Sequence, residues 1–169
     1  MKDTSPPQVQ EQSATFIHRF FGWLEAEARY HINPDGSRGG IVAVTAKIGT
    51  EVKIAETASV GYGASVDNRA SVGDGASVGN RASVGYGDWW ITVGPQGSRN
   101  TILTAVASKE HGMRWWVGCQ LGISTDDFRE QIKKTHGEND HAQDYLALIA
   151  FVESHPGLAR WRKAQGDVK

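Results

Sequence analysis

Three short stretches of this chain carry residue types that could do chemistry. The first is Gly94-Pro95-Gln96-Gly97-Ser98-Arg99-Asn100. Gly94 and Gly97 would let the backbone approach a ligand, Ser98 and Asn100 offer hydrogen bonds, and Arg99 can pair with a phosphate or carboxylate. It is not a nucleoside-triphosphatase loop, because it lacks the Lys-Ser/Thr ending and a following helix. An ordinary polar hairpin loop would have the same composition. The second stretch, Thr135 to His141, sets His136 and His141 among acidic neighbours, a combination that could bind a divalent metal or move protons. The two histidines are five apart across a helix break, so a shared ligand geometry is not assured. A polar turn between helices is the plainer reading, and no metal is assigned. The third is Gly118-Cys119. The single cysteine excludes an internal disulfide. In a strand that reads as half-buried, with no basic partner adjacent, it is a small hydrophobe rather than a nucleophile.

The tryptophans add a fourth feature. In strands, Trp89 and Trp115 would face a core while Trp90 and Trp116 point the other way, and two tryptophans exposed in parallel call for a partner. The end of the repeat described below, another subunit or a ligand could each cover them. The candidate ligand-binding set is therefore Gly94, Gly97, Ser98, Arg99, Asn100, Trp90, Trp116 and His136. No catalytic residue and no cofactor are assigned.

The elements that must hold these residues follow from patterning. Trp89–Val93, Thr101–Ala107 and Met113–Leu121 read as a three-stranded antiparallel meander with turns at Gly94–Asn100 and Glu110–Gly112. Ser124 starts a helix that Asp127 can answer as a capping pair, with Phe128 and Ile132 one turn apart and Gly137 as its stop. A second helix runs from about Asp140 to Ser154, with Tyr145, Leu148, Ile149 and Val152 on its apolar face, and Pro156-Gly157 ends it. This gives a small α+β module over 88–157 and a charged, frayed tail over 158–169.

Upstream the chain repeats. A β-branched residue recurs every six positions at Val42, Ile48, Ile54, Val60, Val66, Val72, Val78 and Val84. A small or β-branched residue sits two before each from Ile48 on (Ala46, Val52, Ala58, Ala64, Ala70, Ala76, Ala82), and five of the units read Ala-Ser-Val. Self-similarity at a fixed period marks a stacked architecture in which each unit buries its apolar residue against the next. Gly61, Gly63, Asn68, Gly73, Gly75, Asn80 and Gly85 suit corners that need unusual backbone angles. The corner triplets nearly alternate with a twelve-residue period; in a coil of about eighteen residues, as the family resemblance given below implies, Arg69 and Arg81 would fall on different faces. Solvated corners are the plain reading; a binding face from Tyr62, Arg69 and Tyr86 is the alternative.

Before the repeat, Phe16, Phe20, Trp23 and Leu24 allow either a short amphipathic helix or a strand, while Ala28, Tyr30 and Ile32 alternate. Asn33-Pro34-Asp35-Gly36 is a turn, since Pro34 presets φ and Gly36 accepts a positive one. Residues 15–41 thus form a capping helix or hairpin over the open end of the repeat. Residues 1–14 are an expected disordered lead-in without the apolar stretch of a secretion signal.

The repeat resembles that of the bacterial hexapeptide transferase family, in which an aliphatic residue is followed four later by a small one. The resemblance implies a mainly β fold: a short left-handed parallel β-helix over 42–87, three hexads to a coil, followed by the α+β module. It also implies a homo-oligomer, a trimer being favoured, and an acyltransferase that binds acyl-CoA between neighbouring prisms with a histidine as general base. This chain departs from that pattern, because no histidine occurs between Ile32 and Val93. The arrangement is also similar to phage and prophage hexapeptide-repeat proteins of unknown function, through Gly94–Asn100, Gly118-Cys119, Thr135–Gly137 and Tyr145.

A net charge of −1 argues against general binding of nucleic acid or anionic membranes, and no apolar run approaches the roughly 20 residues a membrane span needs. The expectation is a non-catalytic oligomeric binding protein of the cytoplasm, in the host cytoplasm if phage-encoded. Its partner would be a host protein or a phosphate-bearing small molecule, as in an inhibitor of a bacterial defence system. An acyltransferase and a structural virion component are the alternatives.

Overall fold

Most hexads bury their Val or Ile together with the small residue two before it, and the chain folds so that each aliphatic residue finds its equivalent 18 residues away. The computed structural model describes residues 14–20, 24–98 and 100–166. The described residues are mainly strands, with three helices, and the chain divides into two compact units, Met1–Tyr86 and Gly87–Lys169.

In the first unit, β1 (Phe16–Phe20), β2 (Leu24–Ile32) and β3 (Arg38–Ala43) form an antiparallel meander. The first segment is a strand, not a helix. Phe16, His18 and Phe20 share the better-covered face, and Phe20, Ala28 and Ala43 make a small core there. Alternation with β-prone aromatics wins over the looser helical spacing. Trp23 lies outside the described residues.

From β3 the chain enters three short parallel ladders. Strand β3 pairs with β6 (Ser59–Val60) and that with β9 (Ser77–Val78); β4 (Lys47–Ile48) pairs with β7 (Ser65–Val66) and that with β10 (Ser83–Val84); β5 (Lys53–Ile54) pairs with β8 (Ser71–Val72). The register stacks Val42 on Val60 on Val78, Ile48 on Val66 on Val84, and Ile54 on Val72. All of these but Ile48 are buried, each burial stabilising by about 1.5–3 kcal/mol.

The corners differ in one respect from the sequence expectation. Positive φ falls on Gly63, Arg69, Gly75, Arg81 and Gly87, not on Asn68 or Asn80. The asparagines bridge coils instead: Tyr62 N–H donates to Asn80 Oδ1 at 2.9 Å, and Thr50 Oγ1 donates to Asn68 Oδ1 at 3.3 Å. Each leaves the next residue, an arginine, in the left-handed region. Arg69 pairs with Glu51 at 2.9 Å, 18 residues back, whereas Arg81 sits over Gly63, so the two arginines occupy different corners.

The β2–β3 hairpin closes the first coil. Asn33 Nδ2 donates to Ile54 O at 3.2 Å while Ile54 N–H donates to Asn33 Oδ1 at 2.8 Å, so a side-chain amide takes the place of the missing strand beside β5. His31, buried, adds a ring hydrogen bond to Val52 O at 3.1 Å. Gly40 must be glycine here, since a Cβ would stand 2.7 Å from Ala55 O.

The second unit is a four-stranded antiparallel sheet in sequence order: β11 (Trp89–Gln96), β12 (Thr101–Ser108), β13 (Gly112–Val117) and β14 (Gln120–Ile123). The third expected strand is broken in two at Gly118-Cys119. Gly118, at φ 56, occupies the first central position of a two-residue turn, where only glycine is comfortable. Cys119 is exposed at that turn rather than half-buried in a strand.

Helices α1 (Thr125–His136), α2 (Asp140–Glu153) and α3 (Pro156–Ala164) follow. Ser124 Oγ accepts from Asp127 N–H at 3.1 Å, and Gly137 at φ 59 ends α1. Asn139 caps α2 through a hydrogen bond from Ala142 N–H. Pro156 starts a third helix instead of only ending the second: at the first helical turn its missing N–H costs nothing, and His155 caps through Nδ1. The segment read as a frayed tail is thus helical to Ala164, held by buried Leu158 and by Trp161 Nε1 donating to Gly87 O at 2.6 Å. The core joins Leu103, Ala105, Trp115 and Val117 of the sheet to Phe128, Ile132, Tyr145 and Ile149 of the helices.

Candidate functional site

One cavity in the second unit gathers several sequence features. Its volume is about 100 Å³, and its floor is apolar: Val117, Phe128 and Ile132. Ser98 reaches it from the β11–β12 loop, Gly118 and Cys119 from the hairpin turn, Thr135 and His136 from the last turn of α1, and Tyr145 from α2. Gln120 and Gln131 complete the polar wall.

Local folding explains the convergence. The loop after β11 contains a register shift between Val93 and Gln96, with Gly94 at φ 134 and Gly97 at φ 68, and Asn100 N–H closes it onto Gly97 O at 3.0 Å. Gly97 lies directly on the Tyr145 phenol; a Cβ there would overlap Oη and Cζ and stand 2.7 Å from Cε1. Tyr145 is buried, with its ring 5.8 Å from that of Phe128 and 5.6 Å from that of His136. Loop and helix thus hold each other through one aromatic ring.

The break at Gly137 turns the chain back so that the His136 and His141 rings lie 5.7 Å apart, edge to face. Among the described residues no group of three or more His, Cys, Asp or Glu could hold a metal ion. His136 stands at the C-terminal end of α1, whose exposed carbonyls favour positive charge. Lys133 and Lys134 share that last turn and are exposed.

The candidate residues separate. Ser98 and His136 line the cavity, and Gly97 buttresses its wall. Gly94 and Asn100 shape the loop without lining it, and Arg99 lies outside the described residues. Trp90 and Trp116 do not join the cavity. Trp90 is opposite Val106 and Trp116 opposite Thr104, on the sheet face away from the helices, where both are half-buried. Trp89 and Trp115 face the helices, and Trp115 Nε1 donates to Thr125 Oγ1 at 2.9 Å. Cys119, Gln120 and Gln131 were missed as site residues. The signal for Cys119 was a Gly-Cys pair able to form a two-residue turn; the glutamines carried none.

In the first unit an open groove of about 570 Å³ runs past Lys47, Ser65, Asn68 and Tyr86. Tyr62 is not part of it and follows the other corner with Asn80, so Tyr62, Arg69 and Tyr86 do not form one face. Among the described residues, no helix is long and apolar enough to cross a membrane. No known protein family, curated protein or solved structure matches this chain.

Proposed function

We propose that this chain is a non-catalytic binding protein, encoded by a phage or other mobile element, whose second unit recognises a phosphate-bearing small molecule. The observation that carries this reading is the convergence on one cavity of Ser98, Cys119, His136 and Tyr145, from four segments distant in sequence. A concave, mostly apolar site with a few convergent polar groups is what small-ligand recognition needs. Arg99, next to Ser98, is the sequence-based partner for the phosphate, and Lys133 and Lys134 add positive charge near His136. Sequestering a signalling molecule of a bacterial defence system is one role that fits.

The first unit serves as a left-handed β-helix that assembles the chain into a trimer. An 18-residue register with one ladder per hexad of a coil supports the β-helix, and the left hand is inferred from the hexapeptide family it resembles. An acyltransferase is the weaker reading, because no histidine lies between residues 32 and 93. A protein partner is favoured by a separate observation, the half-buried Trp90 and Trp116 on the sheet face opposite the cavity.

Native mass spectrometry of gently purified protein tests both levels. A trimer carrying a bound mass of a few hundred daltons, lost in Arg99→Ala with assembly intact, is the expected result. A clean apo protein that takes up no phosphate-bearing compound would overturn the ligand reading, and a monomer would overturn the assembly.

A further inference from the structure

We infer that the cavity takes one uncharged, six-membered ring with amide-type donors and acceptors, the phosphate of the same ligand staying outside. This deepens the small-molecule reading above and rests on it. Size sets the first limit. A cavity of about 100 Å³ is smaller than one of ~150 Å³ that admits benzene, and well below the roughly 300–1,000 Å³ that encloses a whole ligand. Such a volume admits a single six-membered ring at most, and not a fused bicycle.

Charge sets the second limit. The described lining residues include no Lys, Arg, Asp or Glu. An anion inside would lose its hydration without a paired cation among the described lining residues, a penalty of several kcal/mol. It would also face the carbonyl end of α1, the wrong pole of the helix dipole. The exposed Lys133 and Lys134 can attract charge only outside.

The wall chemistry then names the class. Gln120 and Gln131 each present a carboxamide, which donates and accepts side by side. That pattern complements the amide or imide edge of uracil or cytosine. Ser98 and Thr135 add hydroxyls, and the floor of Val117, Phe128 and Ile132 takes the flat apolar face. Tyr145 and His136 already pack on each other at 5.6 Å and 34°, so the ring is read at its edge and not sandwiched between them. The ligand is therefore a pyrimidine nucleotide.

The test is calorimetric titration of the full chain with uridine, cytidine and adenosine, with their monophosphates, and with inorganic phosphate. One of the first two should bind at least about tenfold tighter than adenosine, its monophosphate tighter still, and inorganic phosphate alone weakly. Gln131→Leu should weaken that nucleoside about tenfold or more, because the ring's polar edge is left unpaired, with the unfolding midpoint unchanged. Gln120→Leu should act in the same direction. If adenosine monophosphate or inorganic phosphate binds as tightly as the best ring compound, or both glutamine variants bind normally, the ring inference fails while the small-molecule reading stands. If no compound of the panel binds, both fail.

Discussion

Replacing Gly97 by alanine puts the geometry of the cavity wall under direct strain. Two costs arise at this position. The first is conformational: Gly97 has φ 68, a region that costs an L-residue about 1–2 kcal/mol. The second is steric. The new Cβ would overlap the Tyr145 phenol, and that ring cannot swing away into solvent because Tyr145 is only 6% exposed and packed between Phe128 and His136. Overpacking of this kind costs about 1–3 kcal/mol. Gly112 supplies the control in the same unit, with φ 67 and no atom within 4 Å of its would-be Cβ. Gly112→Ala therefore pays the conformational cost alone, and the entropy recovered by replacing glycine is common to both variants. In urea unfolding followed by far-UV circular dichroism, Gly97→Ala should lose about 1–3 kcal/mol more than Gly112→Ala. It should also weaken ligand binding, since Ser98 and Tyr145 must part. Equal losses in the two variants would mean that the loop does not rest on Tyr145, and the convergence argued for the site would collapse.

Other perturbations report on the first unit. Burial holds the His31 imidazole below its usual pKa of 6.5, its hydrogen bond to Val52 O opposing this and nearby Arg29 adding to it. The unfolded chain then binds the proton more readily, so stability should fall as pH drops through about 6.5 and level off below the depressed folded value. His31→Gln, which can still donate to Val52 O, should show a shallower decline between pH 7.5 and 5.5; an unchanged slope would refute the assignment. Val66→Ala, in the middle of the Ile48–Val66–Val84 stack, should cost about 2–3 kcal/mol by denaturant titration. Arg81→Gly relieves a non-glycine residue at φ 60 and should stabilise by about 0.5–1 kcal/mol, measured the same way.

Period and punctuation in the sequence carried most of the local structure. Six-residue spacing of Val and Ile was visible because each hexad must bury its own aliphatic residue, and the 18-residue ladders follow from three hexads returning the chain to its start. Ser124 and Gly137 marked α1 because capping is a local requirement. The corner angles were less legible. Glycine and asparagine both tolerate positive φ, and only the hydrogen bonds from the neighbouring coil show that Asn68 and Asn80 are used for bridging and that Arg69 and Arg81 bear the strain. Pro156 was ambiguous for a similar reason. A proline both ends one helix and can begin the next, and it is Leu158 and Trp161, finding burial and a carbonyl partner, that decide.

The cavity was hidden by a different kind of problem. Ser98, Cys119, Gln131, His136 and Tyr145 are brought together by tertiary packing, and no periodicity runs across the segments that carry them. What could be read was the glycine at each junction: Gly97 in the loop, Gly118 in the turn and Gly137 after α1, each at positive φ. Each lets the chain reverse sharply beside a side chain that lines the wall or, at Gly97, makes room for one. Three reversals aimed at one tyrosine-containing helix are a stronger pointer to a site than any of the polar residues beside them. The same logic separates Trp90 and Trp116 from it, because they sit in paired strands, where alternation fixes them to the sheet face that the helices leave uncovered.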